Sequence, residues 1–496
     1  MTAEREEGLE TDLERISLAV RDVLKGYDLA ALFPDEAKAA NPSPLPAPTT
    51  QAVQAGPGIF RDLDSAVAAA GAAQRALIAM PLAARKKIVE AMRKAVLDNN
   101  ESLSSEAVRE TGLGNLRDKV TKNALAALKT PGPEDVESTV WTDENGLTLM
   151  ERAPYGVIGA ITPCTNPIAT IISNGIGMIS AGNAVVFNVH PAAKGISCRL
   201  VSLINRAVAG AGGPENLLTA LEAPTIETAN ALMRHRGISL LVITGGPAVV
   251  KAAMNSGKKA ICAGPGNPPC VVDETADIAK AGKDIVDGAG FDNNIVCICE
   301  KEILAVDSIA DRLKEAMKRN GAFELDAAQA KALTSLVIAE PGGPDKEGAA
   351  NKAFVGKDPQ FLGKAIGVEV PASAKLLFCE AAKDDPLVWT EQLMPYIPLV
   401  RMRSADEAID FAVRVERGNR HSAMMHSHDI ERLSRMAKVM NCSLFVKNGP
   451  CYAGLGQGGA GYTSFTIASP TGEGITRART FTRERRCTLV DSFRII

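Results

Sequence analysis

The chain lacks an excess of either charge. Its 55 Lys and Arg against 58 Asp and Glu leave a net charge of -3, which gives no footprint for nucleic acid. It also lacks a disulfide or zinc framework. Its 10 cysteines include no CxxC pair, and Cys297 and Cys299 form the only close pair. His421, His426 and His428 lie near one another with no cysteine pair beside them, which argues against a structural zinc site, and no metal is expected. With no signal peptide either, the cysteines read as the reduced thiols of a cytosolic protein. Finally, there is no uninterrupted apolar span. No charged residue occurs between Arg152 and Lys194, yet Pro163, Asn166, Pro167, Ser173, Asn174 and Asn183 break the run. It reads as buried strand, turn, buried helix and buried strand rather than as a membrane segment.

What is present is ordinary for a globular protein, 46% hydrophobic and 23% charged, in a chain too long for one core. Leu9, Leu13, Ile16, Val20, Val23 and Leu24 recur at helical spacing, and Gly26 is a plausible stop. A Pro-, Ala- and Thr-rich linker over 34–58 separates this amphipathic segment, within 1–33, from the body. A helix without a core of its own suits a partner, and folding back on the body is the alternative.

From Phe60 to about Thr130 the pattern is helical, with Asp62 and Ser102 as expected N-terminal caps. Glu144-Asn145-Gly146 is a turn signal, and Gly146 to Pro154 alternates as a hairpin arm. Short apolar strands then alternate with helices: Gly156–Ile161, Ala184–Phe187, Ser239–Ile243, Cys270–Asp273 and Ile303–Val306. This predicts parallel, doubly wound α/β sheets. Gly245-Gly246 before Pro247 leaves amides free at a helix start, an anion site or an empty turn in equal measure. Further helices are expected near 309–319, 326–334 and 405–418. Arg477/Arg479 and Arg483/Arg485, at two-residue spacing, suggest one charged face of an edge strand at a subunit contact.

The chemistry is expected at Gly288-Ala-Gly-Phe-Asp-Asn-Asn-Ile-Val-Cys-Ile-Cys-Glu300. There a loop between a helix and a strand carries the thiol of Cys297, a far better nucleophile than a hydroxyl once ionised. The bland reading is a small buried hydrophobe, which is how Cys299 reads.

Several ordered motifs shift that balance. They are Thr162-Pro-Cys-Thr-Asn-Pro167, Ala181-Gly-Asn-Ala-Val-Val-Phe187, Thr244-Gly-Gly246, Ala263-Gly-Pro-Gly-Asn-Pro-Pro269, Phe291-Asp-Asn-Asn294 with Cys297, Glu391-Gln-Leu-Met-Pro395 and Lys447-Asn-Gly-Pro-Cys451. Together they resemble the aldehyde dehydrogenase superfamily. The resemblance is to its coenzyme A-acylating branch, the acetaldehyde and propionaldehyde dehydrogenases of bacterial microcompartments. It implies an aldehyde dehydrogenase-like α/β fold, two doubly wound α/β domains plus a β oligomerisation arm. The implied division is a nucleotide-binding domain at 59–270, interrupted by a hairpin at about 143–155, a catalytic domain at 271–475 and an oligomerisation strand at 476–496.

By the same resemblance Cys297 is the nucleophile and Asn166 the amide facing the oxyanion. Thr162, Pro163, Thr244, Gly245, Gly246, Gly264, His190 and Glu391 are the implied cofactor contacts, Glu391 at the nicotinamide-side ribose. NAD and coenzyme A are the implied cofactor and co-substrate, and a short aldehyde such as propionaldehyde or acetaldehyde the substrate. The 1–33 segment resembles an encapsulation peptide for a microcompartment shell in the bacterial cytoplasm, and a homodimer or homotetramer is implied. Hydrolytic relatives carry Glu-Leu-Gly-Gly where this chain has Ala263-Gly-Pro-Gly266, so the carboxylate that activates water is missing. Asn188-Val-His-Pro191 replaces Lys-Pro-Ser, leaving NAD against NADP open. A hydrolytic dehydrogenase and a catalytically silent protein of the same fold are the competing readings.

Overall fold

A computed structural model describes residues 56–496. The 1–33 helix and most of the 34–58 linker lie outside the described residues. Six strands form the first sheet in the order Ile59–Phe60, Leu218–Leu221, Ala184–Val189, Val157–Thr162, Leu240–Thr244, Ala260–Ala263, all parallel. Seven form the second, again all parallel. Their order is Ala322–Glu324, Leu376–Glu380, Tyr396–Met402, Glu302–Val306, Pro269–Val272, Ser422–His426, Leu444–Lys447. The central strands are continuous apolar runs because helices cover both faces of such sheets. Val157–Thr162 and Ala184–Val189 are buried at every position.

The charge-free stretch folds as read, with the Pro167–Ser180 helix between those two strands. All 14 residues of that helix are buried, as an all-round apolar helix requires. Asp62 caps the Leu63–Ala79 helix through the Ser65 amide. Ser102 does not cap: the Asn100–Thr111 helix begins two residues earlier, and the Ser102 hydroxyl donates to the Asn99 carbonyl instead.

A third, antiparallel sheet is the arm. Thr139–Asp143 turns into Gly146–Pro154, which pairs along its length with Thr482–Val490. Gly146 takes φ 129, and a Cβ there would meet the Leu489 carbonyl. Arg483 and Arg485 fall on the edge strand as expected. Arg477 and Arg479 do not, because a 3-10 turn at Ala478–Phe481 precedes it. Among the described residues no helix is long and apolar enough to cross a membrane.

The single crossing from the first sheet to the second, Gly264 to Pro268, leaves the C-terminal end of Ala260–Ala263 and enters the N-terminal end of Pro269–Val272. The C-terminal edge of one sheet therefore meets the N-terminal edge of the other. The chain returns across the same junction after Leu444–Lys447. There the Thr466 hydroxyl reaches Thr244 and Asn174, and the Thr471 hydroxyl accepts from the Cys262 amide.

Candidate active site

The junction gathers the residues singled out in the sequence. Thr162, His190, Thr244 and Ala263 all stand at the C-terminal ends of neighbouring strands of the first sheet. The chain passes from Val157–Thr162 to Ala184–Val189 on one side and later to Leu240–Thr244 on the other. The crevice above Thr162 and Thr244 is thus a topological switch point, where doubly wound sheets take ligands. The Thr162 hydroxyl is buried and has no hydrogen-bond partner among the described residues. Gly246 starts the Pro247–Met254 helix with no side-chain cap, and open space lies where its Cβ would stand. Free amides over open space and an unpartnered hydroxyl fit the diphosphate of a dinucleotide.

Four of the expected contacts have local explanations as well. The Gly245 amide donates to the Ala263 carbonyl at 3.2 Å, which ties the turn to the next strand. A Cβ on Gly264 would press on Pro470 at 3.0 Å, so the returning segment alone explains that glycine. His190 is exposed, and its Nδ1 accepts from the Ala192 amide at 3.1 Å. Pro163 follows Thr162 and ends the strand.

On the second sheet the chemistry-bearing residues lie just upstream of strands. Cys297 precedes Glu302–Val306, Glu391 precedes Tyr396–Met402 and His421 precedes Ser422–His426. Gly266 is their meeting point: a Cβ there would stand 2.9 Å from His421 Cγ and 3.1 Å from the Cys297 carbonyl oxygen. The Gly266 amide also donates to Glu391 Oε1 at 3.4 Å.

Cys297 is half-buried, while Cys299 is fully buried two residues on. Burial pushes the Cys297 thiol up to about 12, with Glu391 adding to the rise and the Lys301 ammonium opposing it. Burial also raises the Glu391 carboxyl to about 7. His421 is lowered to about 4 by burial and by Lys301, so its imidazole is neutral at pH 7, and its Nε2 is buried without a partner among the described residues. Lys301, fully buried, donates to the Asn294 carbonyl at 2.9 Å and to the Asn294 side chain.

The loop before the thiol is built on an unusual backbone. Asp292, Asn293 and Asn294 take φ 46, 55 and 61, three consecutive left-handed residues, and Asp and Asn are the non-glycine types that tolerate this region. The Asp292 carboxylate is buried and pairs with Lys119 at 3.1 Å and with Lys122. Lys122 Nζ also donates to Asn166 Oδ1 at 2.6 Å. One buried ion network thereby joins Asn166 to the loop that carries Cys297.

Sequence reading missed Lys119, Lys122, Asp292, Lys301 and the role open to His421. One signal was available. Lys119, Lys122, Asn123 and Ala126 share the buried stripe of the Leu116–Lys129 helix, and lysines on a core stripe need a partner.

Two parallel α/β sheets meeting over a half-buried thiol, with a dinucleotide-type crevice beside it, define a cysteine-dependent dehydrogenase. The chain belongs to the aldehyde dehydrogenase family, whose model matches residues 38–325. It is 49% identical to the acetaldehyde dehydrogenase (acetylating) of Salmonella typhimurium, over 88% of this chain and 94% of that one. Among solved structures it resembles a propionaldehyde dehydrogenase of Rhodopseudomonas palustris with bound CoA and an acylated cysteine. That match has a TM-score of 0.85 and 49% identity, and covers 88% of this chain and 98% of the other. A propionaldehyde dehydrogenase from the Clostridium phytofermentans fucose utilisation microcompartment matches with TM-score 0.86 and 47% identity, over 89% and 100%.

Proposed function

We infer that the chain is a CoA-acylating aldehyde dehydrogenase, converting a short aliphatic aldehyde such as propionaldehyde or acetaldehyde to its acyl-CoA with NAD. The observation that carries it is the half-buried thiol of Cys297, on a loop whose carbonyl meets Gly266 beside His421, with Ala263 where hydrolytic relatives hold a carboxylate.

The Cys297 sulfur, once deprotonated, adds to the aldehyde carbonyl. Charge develops on the carbonyl oxygen, which the Asn166 side-chain N–H and the Cys297 backbone N–H are assigned to hold. Each such donor typically contributes about 3 kcal/mol of barrier lowering. A bound nicotinamide supplies the hydride acceptor, and loss of hydride from the adduct leaves a thioester on Cys297. Thr162, Pro163, Thr244, Gly245, Gly246, Gly264, His190 and Glu391 are the residues assigned to hold the dinucleotide. The CoA thiol then displaces Cys297, forming the acyl-CoA and returning the free cysteine. His421, neutral, with Nδ1 bonded to Ser422 Oγ at 2.9 Å and Nε2 without a partner among the described residues, is the imidazole we assign to take the CoA thiol proton. If it does, His421→Gln keeps a first turnover of NADH and slows the release of acyl-CoA; an unchanged steady state removes it from that role.

The overall reading is tested by NADH formation from propionaldehyde with and without CoA. Steady turnover only with CoA, with acyl-CoA as product, supports it. Steady turnover without CoA, with free acid as product, overturns it. The microcompartment origin of the Clostridium relative and the pattern at 1–33 support a place inside such a compartment in the bacterial cytoplasm.

A further inference from the structure

We propose that Lys122 is the positioning residue of the oxyanion site. Its ammonium holds the Asn166 carbonyl so that the amide N–H is turned to the reacting oxygen. The inference rests on the assignment of Asn166 as the oxyanion donor.

The geometry begins with a cap that is not made. Asn166 stands at the N-cap position of the Pro167–Ser180 helix, where an asparagine oxygen ordinarily accepts from a first-turn amide, yet no side-chain cap bond is present. Its Oδ1 instead accepts from Lys122 Nζ at 2.6 Å, and its Nδ2 donates to Thr165 Oγ1 at 3.2 Å. One N–H of the amide is left over. An asparagine amide can sit either way round, and a group that only donates decides which end is oxygen. Lys122 is such a group, and it fixes the carbonyl toward itself.

The contacts of Lys122 make it more than a counter-ion. Asp292 already pairs with Lys119 at 3.1 Å and accepts from the Asn115 amide at 2.9 Å. A second ammonium, that of Lys122, 1% exposed, is costly to desolvate, and apart from Asp292 it hydrogen-bonds Asn166. Burial tends to raise the Asp292 carboxyl, but Lys122 and Lys119 hold it below the usual range, so the carboxylate stays charged and anchors both lysines. The Lys122 ammonium thus lies on the carbonyl of the amide assigned to face the developing negative charge. Asp292 is also the first residue of the left-handed turn five positions before Cys297, so the same ion pair ties the donor to the nucleophile loop.

Three variants test this: Lys122→Met, Asn166→Ala and the two combined. Lys122→Met should lower kcat for CoA-dependent NADH formation by roughly tenfold or more while KM changes little. In the Asn166→Ala background the same change should cost no more than about twofold, because a residue acting through Asn166 has nothing left to position. Alkylation of Cys297 by iodoacetamide forms no oxyanion, so its rate in Lys122→Met should stay within about twofold of the parent. Losses that multiply in the double variant, or an alkylation rate that falls with kcat, overturn the proposal. If Lys122→Met fails to fold, Lys122→Gln, a neutral donor, carries the same cycle: its smaller loss must also vanish when Asn166 is Ala. An Asn166→Ala protein with parental kcat would instead refute the underlying oxyanion assignment, whatever Lys122 does.

Discussion

A thiol raised to about 12 is a poor nucleophile until its proton is removed, and Cys297 is in that state because burial and the Glu391 carboxyl both disfavour the thiolate. The sign of the Glu391 effect gives a test. Above about pH 7 Glu391 is charged and raises the thiol; well below it the carboxyl is neutral and the effect fades. Glu391→Gln should therefore speed iodoacetamide alkylation of Cys297 by about threefold or more at pH 8, with the difference closing near pH 6. Equal or slower alkylation at pH 8 would separate the two groups. Cys297, Asn166 and Glu391 could be singled out in the sequence because each sits in a short ordered motif. Lys122 was not, because a lysine on a helix ordinarily points to water. Its burial is decided by Asp292, 170 positions away.

At the scale of elements, the loop that presents Cys297 is set by the left-handed turn at 292–294. The Asn293 side chain anchors it, donating to the Gly356 carbonyl at 3.0 Å and to Asp358 Oδ1 at 2.8 Å. Two substitutions separate backbone from side chain. Asn293→Gly and Asn293→Val both lose these bonds, but only glycine takes a positive φ freely. The valine variant should be less stable than the glycine variant by about 1–3 kcal/mol in thermal or urea unfolding. Equal stability would mean that the turn relaxes. The strands and helices were readable from periodicity, and the turn signal at Glu144–Gly146 placed the hairpin. This left-handed run was not readable, since Asp-Asn-Asn is as suitable for capping or ordinary turns. Nor was the true start of the Asn100–Thr111 helix, because serine caps and interior serines look alike.

Across the whole molecule, the site exists because two sheets meet end to end and one short crossing joins them. That meeting depends on which strands pair over long separations, and sequence periodicity gives strand identity without partners. The pairing of Gly146–Pro154 with Thr482–Val490 is such a case. The arm leaves Val140, Trp141, Leu489, Val490 and Phe493 exposed, an apolar surface suited to a second copy of the chain. Two truncations should separate assembly from encapsulation. If the arm joins copies of the chain, removing 482–496 should lower the mass seen by size-exclusion chromatography. Removing 1–33 should leave oligomer and turnover intact and abolish co-purification with microcompartment shells. Lost turnover with shell association retained would reverse the assignment of the N-terminal segment.

Covalent catalysis at Cys297 is most directly tested by trapping. Enzyme mixed with propionaldehyde and oxidised NAD, without CoA, is quenched and its peptides are weighed. The peptide holding Cys297 should carry one propionyl group, which CoA removes as propionyl-CoA on the time scale of turnover. An unmodified Cys297 peptide in enzyme that goes on to form propionyl-CoA when CoA is added would contradict the account.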